Sequence, residues 1–272
     1  MQTENNNTER HAPRFIVGTV CTVATCIGTG VSHADPTNRW ESAAAVGVAL
    51  TRGNSENFLA TASINTARKW SKDEMLLGAS AGYGETTSEI EEPNPTPPPA
   101  TRTKEEHTTT AQFVRGFGQW NHLFTERFYS GLRLDGVYDE VAGIDYRFTV
   151  SPLAGYYLIK QPNIFLALEA GPSFVAENLA GDPATQYFAL RFGERFQYKF
   201  AGDRARFWQS VDWFPRVDDF HNWFLNFEAG IAATIVKALE LRLVAYDTYD
   251  NVPAQGRKNN DFKLTAQLGY KF

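Results

Sequence analysis

The chain has 272 residues, 14% of them aromatic, with two methionines, two cysteines and a net charge of −5. No basic block stands out, which argues against nucleic acid as a partner. Beyond Ile27 no apolar run is long enough for a membrane-spanning helix, so any membrane crossing falls to strands.

At the N-terminus, Arg10, His11 and Arg14 precede an apolar stretch from Phe15 to Ile27. Val31-Ser32-His33-Ala34 follows, with Ser32 and Ala34 at the two small-residue positions of a cleavage site. The pattern predicts a secretory signal peptide over residues 1–34 and a mature chain starting near Asp35. The stretch is too short to serve instead as an uncleaved spanning anchor. Cys21 and Cys26 both lie inside it, and neither follows the small-residue pattern of a lipoprotein site. The mature chain is expected to carry no disulfide, thiolate nucleophile or cysteine-ligated metal.

From Trp40 onward about twelve segments alternate apolar and polar with period 2, the signature of a strand. They run over Trp40–Thr51, Asn57–Arg68, Met75–Glu85, Thr108–His122, Arg127–Tyr138 and Asp145–Ile159. Ile164–Ala176, Gln186–Phe200, Ala205–Arg216, Asn222–Ile235, Leu239–Asp250 and Asn260–Phe272 complete the set. In the last, Phe262, Leu264, Ala266, Leu268, Tyr270 and Phe272 share one face, and Lys263, Thr265, Gln267, Gly269 and Lys271 the other. An apolar face ending in aromatics at the terminus resembles the closing strand of an outer-membrane barrel. That likeness makes Leu268, Tyr270 and Phe272 the expected signal for the barrel-assembly machinery. The fold class expected is all-β, a transmembrane antiparallel β-barrel of about 12 strands over residues 35–272, in contact with outer-membrane lipids.

The connections agree with this count. With both termini periplasmic, the even connections are short (Lys69–Glu74, Leu123–Glu126, Lys160–Asn163, Ala201–Arg204, Val236–Ala238). Most odd ones are longer, and the longest, Thr86–His107, contains Pro93, Pro95, Pro97, Pro98 and Pro99 and is predicted to be an extended surface loop. Short periplasmic turns and longer outer loops are the outer-membrane pattern. Aromatics fall at both sets of strand ends. Trp70, Trp120, Tyr156, Phe200, Phe207 and Tyr270 are predicted for the periplasmic belt; Tyr83, Tyr138, Tyr146, Tyr187, Trp213, Trp223 and Tyr249 for the outer one. Glu194 shares the parity of Leu190, Phe192 and Phe196, which sets an acid on the lipid face; Gln209 on the next strand is its candidate partner.

Three stretches resemble the uncharacterised family of salt-induced outer-membrane proteins, domain of unknown function 481. They are Arg52-Gly53-Asn54-Ser55, Gly131-Leu132-Arg133-Leu134-Asp135 with Arg147, and the ending from Tyr246-Asp247-Thr248-Tyr249-Asp250-Asn251-Val252-Pro253 through Asp261 to Tyr270-Lys271-Phe272. The resemblance implies a barrel fold and brings no established activity.

The inward face is predicted to carry Arg133, Asp135, Asp145, Arg147, Glu169, Arg191, Arg195, Asp212, Glu228 and Arg242. Opposite charges on neighbouring strands can satisfy one another and hold the barrel shape. The same residues can instead line an ion-selective pore for a small solute. Structural pairing is the reading adopted here, with Arg133, Asp135, Asp145 and Arg147 expected together near the outer mouth. Asp218-Asp219-Phe220-His221 offers an acid–histidine pair in an outer loop, the basis of an alternative hydrolase reading. No serine stands in a nucleophile-elbow context, so no catalytic residue is assigned. A surface adhesin or receptor acting through residues 86–107 is a further alternative. The oxygen-rich segment Asp247–Asp261 lacks calcium-loop spacing and reads as turn chemistry, so neither metal nor cofactor is assigned.

Overall fold

The computed structural model describes residues 21–23, 38–51, 55–93 and 101–272. Twelve strands form one antiparallel sheet closed on itself. They are β2 (Trp40–Thr51), β3 (Ser55–Lys69), β4 (Asp73–Pro93), β5 (Thr101–Leu123), β6 (Phe128–Asp139) and β7 (Ile144–Lys160). β8 (Ile164–Leu179), β9 (Thr185–Phe200), β10 (Ala205–Pro215), β11 (Trp223–Val236), β12 (Leu239–Asp250) and β13 (Asn260–Lys271) follow. Each pairs with its sequence neighbour, and β13 returns to β2 through Leu268↔Val46 to Lys271↔Ala43. The terminal residue takes part: Phe272 N donates to Ser42 O at 2.9 Å, and Ser42 N to Phe272 O at 3.1 Å. A closed sheet leaves no edge to be satisfied by water, which a bilayer requires. A three-residue strand, β1 (Cys21–Val23), lies along the same edge of β2, paired with Leu50, Ala49 and Val48. The rest of the predicted signal segment lies outside the described residues.

The faces are inverted relative to a soluble protein. Val46 (69% exposed), Phe188 (65%), Leu264 and Phe148 point outward, while Arg191 (0%), Glu240, Asp139 and Gln267 are buried inside. Apolar residues facing the surroundings and charges facing the lumen are the pattern of a barrel in lipid. Trp213, Trp223 and Tyr249 form an outward aromatic row across β10, β11 and β12, the first two edge-on at 6.5 Å and the last two stacked at 4.9 Å between centroids. Tyr187, predicted for this belt, instead turns into the lumen and donates to Glu177 at 2.9 Å.

Inside, glycines make room for rings on the neighbouring strand. Gly82 lies opposite Phe113, Gly78 opposite Phe117, Gly155 opposite Tyr129 and Gly230 opposite Trp208. A Cβ at Gly155 or Gly230 would come within 2.2 or 2.1 Å of its partner's ring. The lumen is therefore filled partly by aromatic plates lying on bare backbone.

Two boundaries depart from the sequence reading. The expected loop over 86–107 is mostly strand: Thr86–Pro93 pair with Thr101–Thr108, and only residues 94–100 lie outside the described residues. Its threonines favour extended backbone, but a hairpin above the membrane has two polar faces and shows no alternation to read. At the start of β7 the register shifts between Ile144 and Tyr146. That irregularity turns Asp145 out of the lumen, where it is exposed and accepts only a 3.4 Å bond from Asn178. A one-residue slip exchanges the two faces of a strand, so the predicted place of Asp145 among the lumen charges is wrong.

Candidate functional site: the charged lumen

The lumen charges form layers along the barrel. At the end away from the termini, Asp139 closes β6 with its side chain fully buried. It accepts from Arg115 Nη2 on β5 at 2.8 Å and from Lys263 Nζ on β13 at 2.8 Å. β6 and β13 are not neighbours in the sheet, so the second contact crosses the lumen. Arg147 on β7 crosses it too: it grips Glu177 on adjacent β8 and reaches Asp250 on β12 at 2.6 Å. The Phe224 ring lies 4.2 Å beneath its guanidinium. Arg115 Nη1 also donates to Thr248 on β12 at 3.4 Å.

The middle layer is a balanced set of two cations and two anions. Arg191 Nη2 lies 2.7 Å from both Glu169 and Asp212, and Arg195 Nη2 lies 3.0 Å from Asp212 and 3.9 Å from Glu169. Gly193, between the two arginines in sequence, leaves the space: a Cβ there would meet Arg191, Asp212 and Glu169 within 3.2 Å. Glu169 accepts further from Gln119 at 2.7 Å and Tyr129 at 2.9 Å. Arg133 joins through Gln119 Oε1 at 3.1 Å, and holds Asp135 bidentately on its own strand at 2.7–3.0 Å. A buried carboxylate is tolerable only when paired and hydrogen-bonded, and Glu169 has four such partners.

Toward the terminal end the charges divide. Glu74 accepts from Tyr157 at 2.6 Å and lies 3.4 Å from Lys69. Glu240 sits among Arg206, Arg242 and Lys271. Glu228 accepts from the Trp208 indole at 2.6 Å.

Of the ten charges read from sequence, Arg133, Asp135, Arg147, Glu169, Arg191, Arg195, Asp212, Glu228 and Arg242 face the lumen, and Asp145 does not. The expected foursome at the outer mouth is not assembled. Arg133 and Asp135 pair within one strand and join the middle layer, while Arg147 belongs to the layer above. Asp139 and Glu177 lie just beyond the predicted strand ends Tyr138 and Ala176, and the structure extends β6 and β8 to include them. Arg115 lies in the Thr108–His122 segment, where Phe113 to Gly118 do not alternate cleanly. Its parity with Phe113 and Phe117 was the usable signal.

Outside the lumen, His221 is fully exposed, with Nδ1 3.7 Å from Asp219, beyond hydrogen-bond reach. Asp218 is engaged by Arg216 at 2.7 Å, and that bond holds its carboxyl below the usual range. In the 247–261 segment Asp247 accepts from Asn260 at 2.7 Å and Asp250 Oδ1 from Val252 N at 3.1 Å, while Asp250 Oδ2 faces the lumen and takes Arg147. Glu194 points to the lipid side as its parity requires, and Gln209 donates to it at 3.2 Å.

Solved structures similar to the chain include a NanC porin (TM-score 0.46, 7% identity, 86% of this chain and 99% of that one). Another is the COG4313 outer membrane channel from Pseudomonas putida F1 (0.48, 9%, 90% and 100%). A third is the translocator domain of the autotransporter NalP from Neisseria meningitidis (0.40, 12%, 86% and 87%). No curated protein matches the chain. A family model described as "Protein of unknown function, DUF481" matches residues 44–272, all twelve barrel strands but the first residues of β2. The chain belongs to the DUF481 family.

Proposed function

We propose that this is a non-enzymatic outer-membrane barrel whose lumen is held shut, or nearly so, by its own ion pairs. It is exported by an N-terminal signal removed near Asp35, is inserted through the signal Leu268, Tyr270 and Phe272, and stands with both termini in the periplasm. The observation that carries this reading is the pair of contacts that cross the lumen, Lys263–Asp139 and Arg147–Asp250. Each ties strands that are not neighbours, and such ties narrow the bore far below that of an open barrel. A cavity of about 160 Å³ is left between the two arginine-rich layers, bordered by Arg133, Asp212, Glu228 and Tyr246. It suits small polar solutes or water rather than a wide aqueous stream.

Planar-bilayer recording of the purified, refolded chain tests the reading. Little or no steady conductance is the expected result. Large, steady wild-type currents would overturn it in favour of an open solute channel.

A further inference from the structure

At the terminal end the lumen widens into a cavity of about 680 Å³. In its wall Glu240 is buried and held by Arg206 at 3.2 Å, by Lys271 at 2.5 Å and by Arg242. Three cations on one carboxylate leave a net positive floor. Arg39, Lys199, Arg204 and Lys237 add four more at the wall and rim, against Glu41 and Asp203. The fold enforces this grouping. Arg204 and Lys237 sit in the tight turns after β9 and β11, and Thr234 N donates to Arg204 O at 2.8 Å, which sets the turns side by side. Arg206 is poised as well as charged. Its guanidinium rests 5.0 Å from the Trp208 ring, and its buried Nε donates to no described residue. At the opposite end acids outnumber bases, with Glu140, Asp145, Asp182, Asp218 and Asp219 exposed in or beside its loops against Arg216, Arg257 and Lys258. A concave, low-dielectric wall of one charge concentrates ions of the other.

We propose that this vestibule is a binding site for a multivalent oxyanion, a phosphorylated or polycarboxylate solute that reaches the barrel from the side of its termini. Guanidinium forks match the paired oxygens of such groups, and the lysines add point charge that does not demand one geometry. A neutral or cationic solute would gain nothing from this wall. Because the vestibule lies below the layers that cross the lumen, the inference stands whether or not the barrel conducts.

Calorimetric titration of the full, detergent-folded barrel with inorganic pyrophosphate and, separately, with citrate tests it and separates phosphate from carboxylate recognition. The wild type is expected to bind at least one of them, more weakly as salt rises. Arg204→Glu with Lys237→Glu, both at the rim, should weaken that binding by about tenfold or more, since two attractive charges become repulsive. Arg257→Glu with Lys258→Glu, at the other end, should leave it unchanged. Retention of the heat-dependent gel shift in each variant excludes misfolding. Absence of wild-type binding to both anions, or equal losses in the two double variants, would overturn the proposal.

Discussion

Lys263 of β13 and Asp139 of β6 meet at 2.8 Å although four strands, β2 to β5, separate them on the shorter way round the barrel. Arg147 of β7 and Asp250 of β12 repeat the relationship across β8 to β11 at 2.6 Å. The two struts pull opposite walls together near the same mouth, and Arg115, touching both Asp139 and Thr248, lies between them. A pore of this kind is opened by removing a strut, not by moving a lid.

Lys263→Ala should therefore raise conductance. The lysine is part-exposed, and Arg115 still satisfies Asp139, so the barrel should remain folded. Single-channel recording should show openings that the wild type lacks, selective for cations because the uncovered groups are carboxylates. An unchanged, silent variant would mean that the bore is closed elsewhere.

Arg147→Ala removes the second strut and should in addition cost stability. It leaves Glu177 and Asp250 facing each other without their shared cation. Breaking a buried pair on one side costs about 3–5 kcal/mol. Urea unfolding in lipid vesicles, followed by tryptophan fluorescence, reads the loss. A change under about 1 kcal/mol would show the pair to be solvated and dispensable.

Glu194→Leu combined with Gln209→Leu should stabilise the barrel. A polar pair on the lipid face costs free energy that two leucines would not, on the order of 1 kcal/mol at mid-strand. The same unfolding assay is expected to shift to higher urea. A loss of stability would point to an occupant of that face that needs the acid.

Gly171→Ala should be among the most damaging small substitutions. Its Cβ would lie 2.0 Å from Pro152 O, a backbone atom that cannot swing aside. Pro152 and Pro172 stand where the β7–β8 ladder lapses between Val150↔Phe174 and Ala154↔Ala170, so this glycine packs into a gap in the backbone ladder that the Ser151 and Ser173 hydroxyls bridge at 2.8 Å. Overpacking typically costs about 1–3 kcal/mol, and a collision with backbone belongs at the upper end. Gly202→Ala, in an open turn with nothing within 4 Å, is the matched comparison that carries backbone strain alone.

Removing Tyr270–Phe272 should sharply reduce insertion. It deletes the Phe272–Ser42 bonds and two of the four residue pairs that close the sheet. Unheated detergent gels should show the wild type migrating as a compact barrel and the truncated chain largely unfolded. Normal assembly of the truncated chain would falsify the signal assigned to Leu268, Tyr270 and Phe272.

The strand ladder was legible in the sequence because lipid outside and charge inside force period 2 on every strand. Trp40–Thr51 and Leu239–Asp250 were read to the residue, and Glu194 was rightly placed on the lipid face. Parity gives a face, however, and not a partner. Nothing along the chain links Lys263 to Asp139, because their contact depends on barrel curvature and on which strands lie opposite. Asp145 was misplaced for a related reason: an irregularity shifts parity without leaving a composition signal. The cationic floor around Glu240 escaped notice because Arg206, Arg242 and Lys271 come from three different strands.

Closure of the sheet also has a weakest seam. β13 meets β2 over four residue pairs, against eleven with β12 on its other side, and β2 meets β3 over twelve. Beyond Val46 the edge of β2 is taken by the three residues of β1. Without residues 21–23 that berth would be empty. The same antiparallel register then carries Gly47 to Gln267 and Val48 to Ala266, so the seam is free to zip further. The reach of the last strand along the first is thereby set by whether residues 21–23 occupy that edge.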